Sequence, residues 1–156
     1  MAVSLGDTAP GFSVPGTDGT DAGRRSYSLA EYRGKPVVLV FYPGDDTTVC
    51  TRQLNEYSRG IEEFDAVGAQ VLAMSPQSVA SHEGFSCRQG GFAFPMLADE
   101  DKAVGAAYGI LGPLGFYRRS VFVVDAAGVV RYIHRALAGV TFRPTSELVA
   151  AVEAAS

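Results

Sequence analysis

The chain has 156 residues, which fits a single domain that buries about two thirds of the surface exposed by the unfolded chain. Its formal net charge is −4, and Lys and Arg never cluster beyond a pair, so the composition does not favour nucleic-acid or anionic membrane partners. No run approaches the roughly 18 apolar residues of a membrane span, and the first residues lack the basic and apolar regions of a signal peptide. We therefore expect a cytoplasmic protein.

The first half of the chain predicts an extended segment, a buried strand and a long amphipathic helix. Two prolines interrupt residues 6–18, which favours extended chain or an edge hairpin, and residues 28–32 predict one helical turn. Residues 37–42 are almost all β-branched or aromatic, which is typical of a central strand covered on both faces. From Cys50 onward, apolar side chains recur at steps of four and three residues, which predicts an amphipathic helix that ends near Gly68; these residues are Cys50, Leu54, Tyr57, Ile61 and Phe64.

The second half predicts shorter elements that continue the series. The predicted strands are residues 70–74, 120–124 and 129–134, and the predicted helices are residues 77–89, 100–108 and 144–155. A four-residue turn separates the last two strands and makes them an antiparallel hairpin. Parallel β-α-β crossovers followed by a hairpin and a helix indicate one α/β domain over residues 1–156, with a mixed central sheet and helices on both faces.

Cys50 is the strongest candidate for a catalytic group, because it lies in the first turn of the predicted long helix, directly after a buried strand and a polar loop. The thiolate is the nucleophile, and a free thiol with a reference pKa of about 8.5 is only slightly ionised at neutral pH. A helix N-terminus stabilises the anion through its unpaired N–H groups and its dipole. Pro43 directs the chain out of the strand, and Thr47 places a hydroxyl three residues before the sulfur.

The spacing Pro-x-x-x-Thr-x-x-Cys at residues 43–50 resembles the active-site motif of the peroxiredoxins. Residues 6–12, 94–99 and 119–125 are similar to the opening segment, the Phe-Pro-Leu-Leu-x-Asp segment and the arginine-bearing strand of that family, so the resemblance covers nearly the whole chain. The sequence is most similar to the bacterioferritin-comigratory or Q type. The resemblance implies a thioredoxin-like fold with an N-terminal extension.

The resemblance also implies roles for individual residues. Cys50 would be the peroxidatic thiolate that becomes a sulfenic acid, and Arg119 would be its cation. Thr47 would form hydrogen bonds with the peroxide, and Pro43 would screen the sulfenic acid from water. The N–H groups of Val49 and Cys50 would hold the developing oxyanion.

Three further positions concern the surroundings of the pocket. Tyr42 and Gln53 are expected to support the substrate site, although the family often has glutamate where this chain has Gln53. Arg118 is expected to face solvent, because adjacent strand residues point in opposite directions.

The resemblance places the second cysteine, Cys87, as the resolving thiol. Many Q-type members carry that thiol five residues after the peroxidatic one, where this chain has Asn55. A second family arrangement places it on the following helix, which here is the predicted helix 77–89. An intramolecular disulfide would then form and be opened by an external dithiol. Helix ends would have to unwind locally, because cysteines on separate helices rarely have Cα atoms within the roughly 7 Å that a disulfide tolerates. From the residues alone, Cys87 could equally be a small buried hydrophobic side chain.

Two other interpretations of the thiols stay open. The chain could be a one-cysteine peroxiredoxin with external thiol resolution, or a non-catalytic redox sensor or thioredoxin-like binding module. A Cys-x-x-Cys oxidoreductase is disfavoured, because Cys50 is followed by Thr-Arg-Gln. His82 and His134 lack metal-binding spacing and have no carboxylate placed to orient either ring, so we interpret them as structural or solvated.

The leading hypothesis is therefore a thiol-dependent peroxidase that reduces hydrogen peroxide and small organic hydroperoxides and needs no metal or organic cofactor. Its expected partners are the peroxide substrate and thioredoxin or a similar dithiol. Residues 111–117 are apolar and turn-rich, which indicates either loop packing or an exposed association patch. We expect a monomer or a weak homodimer.

Overall fold

The computed structural model describes residues 3–20, 22–136 and 141–155. In these ranges the β-strands are β1 (Ser13–Thr17), β2 (Arg25–Ser28), β3 (Val37–Phe41), β4 (Gln70–Ser75), β5 (Met96–Ala98), β6 (Ser120–Val124) and β7 (Val130–Arg135). The α-helices are α1 (Thr48–Arg59), α2 (Ile61–Ala66), α3 (Val79–Arg88), α4 (Ala103–Tyr108) and α5 (Thr145–Ala154), and a 3₁₀ turn spans Leu29–Tyr32. None of the helices in these ranges is long and apolar enough to cross a lipid bilayer.

The strands form one mixed sheet in the order β2-β1-β5-β4-β3-β6-β7. β3 is parallel to β4 and antiparallel to β6, and the connection from β3 to β4 runs through α1 and α2. β6 and β7 form the predicted hairpin, and β1 and β2 form an antiparallel hairpin at one edge. The predicted mixed α/β sheet is therefore confirmed.

Helices cover both faces of the sheet, as predicted. Because side chains alternate along a strand, Val38 of β3 faces one way and Leu39 the other. The first face packs against α1, α2, α3 and α5, and the second packs against α4 and the N-terminal segment. All of β3 is therefore buried, and its C-terminal end leads into the loop before Cys50.

Two predicted helices have different bounds in the structure. The long helix is divided into α1 and α2 at Gly60, where a Cβ would lie 2.7 Å from Thr145 Cγ2, so glycine permits the close approach of α5. α4 begins at Ala103 rather than at residue 100, because Lys102 has a left-handed φ of 63°. The buried Asp99 carboxylate accepts hydrogen bonds from N–H groups in the first turn of α4 and fixes this start.

Gly16 on β1 yields a first prediction, because its missing side chain lets β1 lie between β2 and β5. A Cβ there would lie 2.9 Å from the carbonyl oxygen of Met96 and 2.8 Å from Tyr27 Cδ1. We expect Gly16→Ala to lower the free energy of unfolding by about 1–3 kcal/mol, measured by urea denaturation. Gly11→Ala is the control, since nothing lies within 4 Å of a Cβ at that position. Equal unfolding midpoints for the two variants would contradict the predicted steric conflict.

Candidate active site

Cys50 is the third residue of α1, and the turn before it leaves the helix N-terminus open. Thr47 is the N-cap residue in extended conformation, but its side chain accepts no hydrogen bond from the described first turn of α1. Its hydroxyl instead donates to the carbonyl oxygen of Gly44 at 3.1 Å. The N–H groups of Val49 and Cys50 belong to the first turn, whose donors have no partner within the helix. They are therefore suited to stabilise negative charge at this end of α1.

Arg119 lies directly against the sulfur. Its Nη2 donates to Cys50 Sγ at 3.2 Å, and its Nη1 donates to Gln53 Oε1 at 2.5 Å. The register of the sheet explains this contact, because Phe41 pairs with Ser120 and so brings the residue before β6 to the start of the Cys50 loop. Cys50 and Gln53 are three residues apart and share one face of α1, so one guanidinium reaches both.

Gln53 is held in one orientation by its neighbours. Its amide Nε2 donates to the hydroxyl of Tyr57 at 3.4 Å, and that hydroxyl donates to the carbonyl oxygen of Arg143 at 2.6 Å. Burial raises the pKa of Tyr57 far above its ordinary value, so its hydroxyl stays protonated. Gln53 therefore presents its oxygen to Arg119 and orients the guanidinium without adding a negative charge.

These contacts place a guanidinium and a helix N-terminus beside the Cys50 sulfur. Cys50 has no exposed surface and Arg119 is only 4% exposed, so water screens the attraction between sulfur and guanidinium weakly. A charge-assisted hydrogen bond and a helix N-terminus both stabilise the anion over the neutral thiol. The arrangement can therefore supply a nucleophilic sulfur, next to loop residues 46–48 that are exposed.

The other predicted site residues lie nearby without a described hydrogen bond to the sulfur. Pro43 is half-buried at the start of the loop. The hydroxyl of Tyr42 donates to Asp45 Oδ1 at 2.7 Å, and burial together with this carboxylate raises the pKa of Tyr42 well above its ordinary value. The roles of Pro43, Tyr42 and Thr47 in a reaction stay predictions. Arg118, for which the sequence predicts a solvent-facing side chain, is half-buried, and its Nε donates to the carbonyl oxygen of Ala136 at 3.3 Å.

Cys87 lies on the C-terminal turn of α3 and is exposed, so the interpretation as a buried hydrophobic side chain is wrong. Both cysteines are free thiols in the structure. The residues that follow Cys87 bring this end of α3 close to the Cys50 helix, since Arg88 Nη2 lies 2.5 Å from Asp46 Oδ2 and Gln89 accepts from Asn55 at 3.0 Å.

His82 corrects the prediction that no carboxylate orients either histidine. Its Nδ1 lies 2.8 Å from Oδ2 of Asp45, a residue of the Cys50 loop. The sequence could not show this pairing, because the residues are 37 positions apart and meet only through the packing of α3. Among the described residues, no group of three or more His, Cys, Asp and Glu side chains is placed to hold a metal ion.

The fold and the site define a thioredoxin-like domain with one cysteine paired to a guanidinium. The family profile described as AhpC/TSA family matches residues 5–133. Peroxiredoxin Q, chloroplastic, of Oryza sativa subsp. japonica is 36% identical over 134 residues, which are 85% of this chain and 59% of that protein. Peroxiredoxin-2 of Rattus norvegicus is 37% identical over 136 residues, which are 83% of this chain and 68% of that protein.

Solved structures agree with these relatives. Mycobacterium bovis AhpC has a TM-score of 0.90 at 25% identity, covering 99% of this chain and 93% of that chain. The chain belongs to the AhpC/TSA family, and its similarity to the rat protein shows that it is a peroxiredoxin. It spans less than two thirds of the length of that plant relative.

Replacing Arg119 tests the source of thiolate stabilisation. In a Cys87→Ser background, Arg119→Met should slow alkylation of Cys50 by iodoacetamide at neutral pH about a hundredfold, because the charge and both hydrogen bonds are lost. Arg119→Lys keeps the charge but not the forked geometry, and should slow it about tenfold. The control is Arg118→Met, which should change the rate less than about twofold. Alkylation of Arg119→Met at the unaltered rate would show that the guanidinium does not activate the sulfur.

Proposed function

We propose that this protein is a thiol-dependent peroxidase that reduces hydrogen peroxide and small organic hydroperoxides through Cys50. The observation that carries the proposal is the hydrogen bond from Arg119 Nη2 to Cys50 Sγ, 3.2 Å long, at the open N-terminus of α1. Membership of the AhpC/TSA family supports the same chemistry.

In the first step the thiolate attacks the terminal oxygen of the peroxide. A sulfur–oxygen bond forms as the oxygen–oxygen bond breaks, so Cys50 is oxidised to a sulfenic acid. The leaving hydroxide or alkoxide takes up a proton and departs as water or an alcohol. Arg119 and the N–H groups of Val49 and Cys50 stabilise the charge as it moves from sulfur to oxygen. Thr47 would turn its hydroxyl from Gly44 to the peroxide, and Pro43 would limit access of water.

In the second step Cys87 resolves the sulfenic acid. Its thiolate attacks the Cys50 sulfur, a disulfide forms, and hydroxide leaves and is protonated to water. An external dithiol such as thioredoxin then donates two electrons to the disulfide, which returns both cysteines to thiols and leaves the dithiol oxidised to its own disulfide. Because Cys50 is buried and Cys87 is exposed on another helix, this step needs local unwinding. Gly90 and Gly91 follow α3, and both have positive φ, so the helix does not continue beyond its C-terminal turn, which contains Cys87.

Peptide mapping after one equivalent of hydrogen peroxide tests the two-cysteine mechanism. The unaltered chain should lose two hydrogen atoms and yield a linked peptide pair that contains Cys50 and Cys87, measured by mass spectrometry. Cys87→Ser should instead retain a sulfenic acid that dimedone traps, and Cys50→Ser should give neither product. A lasting sulfenic acid in the unaltered chain would favour the one-cysteine alternative, in which an external thiol replaces Cys87.

Turnover separates the enzyme from a non-catalytic sensor. With a thioredoxin system as reductant, the unaltered chain should consume peroxide at least about a hundredfold faster than Cys50→Ser. Equal rates would leave only a switch or binding role for the thiols.

We further infer that the segment 111–117 supports weak self-association. Leu114 and Phe116 are 83% and 68% exposed, and both line a pocket of about 430 Å³. A second copy of the chain could cover these two apolar side chains. Leu114→Glu and Phe116→Glu should remove any concentration-dependent increase in sedimentation coefficient, whereas Leu5→Glu, at a leucine that is 63% exposed outside this segment, should not. A coefficient that does not change with concentration in the unaltered chain would show a monomer.

A further inference from the structure

A second set of polar side chains is enclosed between the Cys50 loop and α3. His82 of α3 has no exposed surface, and the Asp45 side chain beside it is 2% exposed. His82 Nδ1 lies 2.8 Å from Asp45 Oδ2, and its Nε2 lies 2.8 Å from the carbonyl oxygen of Leu97 on β5. One imidazole therefore joins the loop, the helix and the sheet.

The hydrogen bonds indicate that this pair is ionic. A carbonyl oxygen can only accept, so Nε2 of His82 carries a hydrogen, and Nδ1 faces a carboxylate and must carry one as well. Burial raises the pKa of Asp45, but hydrogen bonds from His82, Ser81 and Tyr42 outweigh it, and the net shift is downward. The Ser81 and Tyr42 hydroxyls each donate to this carboxylate at 2.7 Å. An imidazolium and a well-satisfied carboxylate therefore face each other away from water.

Asp45, the acidic partner in this pair, is also part of the loop that carries Cys50. Asp45 lies five residues before Cys50, and its backbone N–H donates to Gln77 Oε1 at 2.8 Å. The next residue, Asp46, has a left-handed φ of 61°, which is unfavourable for most side chains. The loop is thus held in place by α3 and by the segment that precedes α3.

The same pair holds the helix that carries Cys87. His82 lies five residues before Cys87, and its imidazole is enclosed on the inner side of α3, whereas Cys87 is exposed. Unwinding of α3 from its C-terminal end would reach His82 within little more than one helical turn. Unwinding that releases Cys87 would therefore also break the contact between His82 and Asp45 that holds the Cys50 loop.

We propose that His82 is a positioning residue, which through its ion pair with Asp45 makes the reactive Cys50 loop and the folded α3 one cooperative unit. The inference rests on the proposed peroxidase function. Weakening the pair then has opposite effects on the two chemical steps. Attack of Cys50 on peroxide slows because the loop loses its support, and disulfide formation accelerates because α3 unwinds more readily.

Two neighbouring carboxylates provide a matched test. Asp45→Asn removes the charge that pairs with buried His82, whereas Asp46→Asn removes a charge that pairs with Arg88 on the surface, where the two side chains are 44% and 57% exposed. Both changes are isosteric, and asparagine tolerates the left-handed conformation at position 46. The surface pair contributes little, because water screens it.

The first readout is the rate of sulfenic acid formation, in a Cys87→Ser background, by rapid quenching and dimedone trapping. Asp45→Asn should lower this rate about tenfold, and Asp46→Asn should change it less than about twofold.

The second readout is the peroxide concentration that converts half of Cys50 to sulfinic acid in the chain with both cysteines. Asp45→Asn should raise this concentration about fivefold, because faster disulfide formation leaves less sulfenic acid for a second peroxide. Both readouts use mass spectrometry, because the chain has no Trp whose fluorescence could follow the reaction.

Milder variants guard against misfolding of Asp45→Asn. Ser81→Ala removes one hydrogen bond to Asp45 but keeps the ion pair, and should shift both readouts in the same directions by about twofold. His82→Gln should reproduce Asp45→Asn. The positioning role is wrong if Asp45→Asn matches Asp46→Asn in both readouts. It is also wrong if Ser81→Ala lowers both the rate of sulfenic acid formation and the peroxide concentration that converts half of Cys50 to sulfinic acid. If Cys50 forms no sulfenic acid in the Cys87→Ser chain itself, the proposed peroxidase function fails instead.

Discussion

The contact between one buried sulfur and one buried guanidinium is the constraint around which the C-terminal end of β3 is built. Arg119 could not reach Cys50 if β3 and β6 were out of register. Pairing of Phe41 with Ser120 brings Arg119 to the sulfur, and Gln53 on the same face of α1 then fixes its forked geometry. The site thus depends on the register of the central sheet, which packs against apolar side chains on both faces.

Charges inside this domain are concentrated at that end of the sheet. Arg119, Asp45, His82 and Asp99 are enclosed there with their hydrogen-bond partners, and the other polar residues buried in the described part of the chain are uncharged. Removing one partner of such a pair costs about 3–5 kcal/mol, because the other charge stays buried alone. Each buried charge at the end of β3 therefore depends on its own partners, Arg119 on Cys50 and Gln53, and Asp45 on His82.

Local patterns predicted the parts of this network that are near in sequence. The strand before Cys50, the stripe of α1 and the hairpin of β6 and β7 follow from residue spacing, and the motif at residues 43–50 indicated the cysteine. The three-residue strand β5 was missed because it is too short to show alternation, and the break at Gly60 depends on contact with α5. The pairing of Asp45 with His82 needed the packed position of α3, which no local pattern contains.

The proposed mechanism requires α3 to open and close, and the contact between His82 and Asp45 suits that requirement. Phe85, on the same helix, is buried against the rings of Tyr42 and Phe92, and exposing it to water would cost about 2 kcal/mol. His82 and Asp45 behave differently, since on unwinding both charges regain the hydration that burial had removed. The intact ion pair therefore specifies where α3 docks and adds little to the free energy of release, whereas removal of one partner leaves the other charge buried alone and destabilises the docked helix. A purely apolar contact of the same size would hold Cys87 away from Cys50 more firmly and leave the sulfenic acid exposed to a second peroxide for longer.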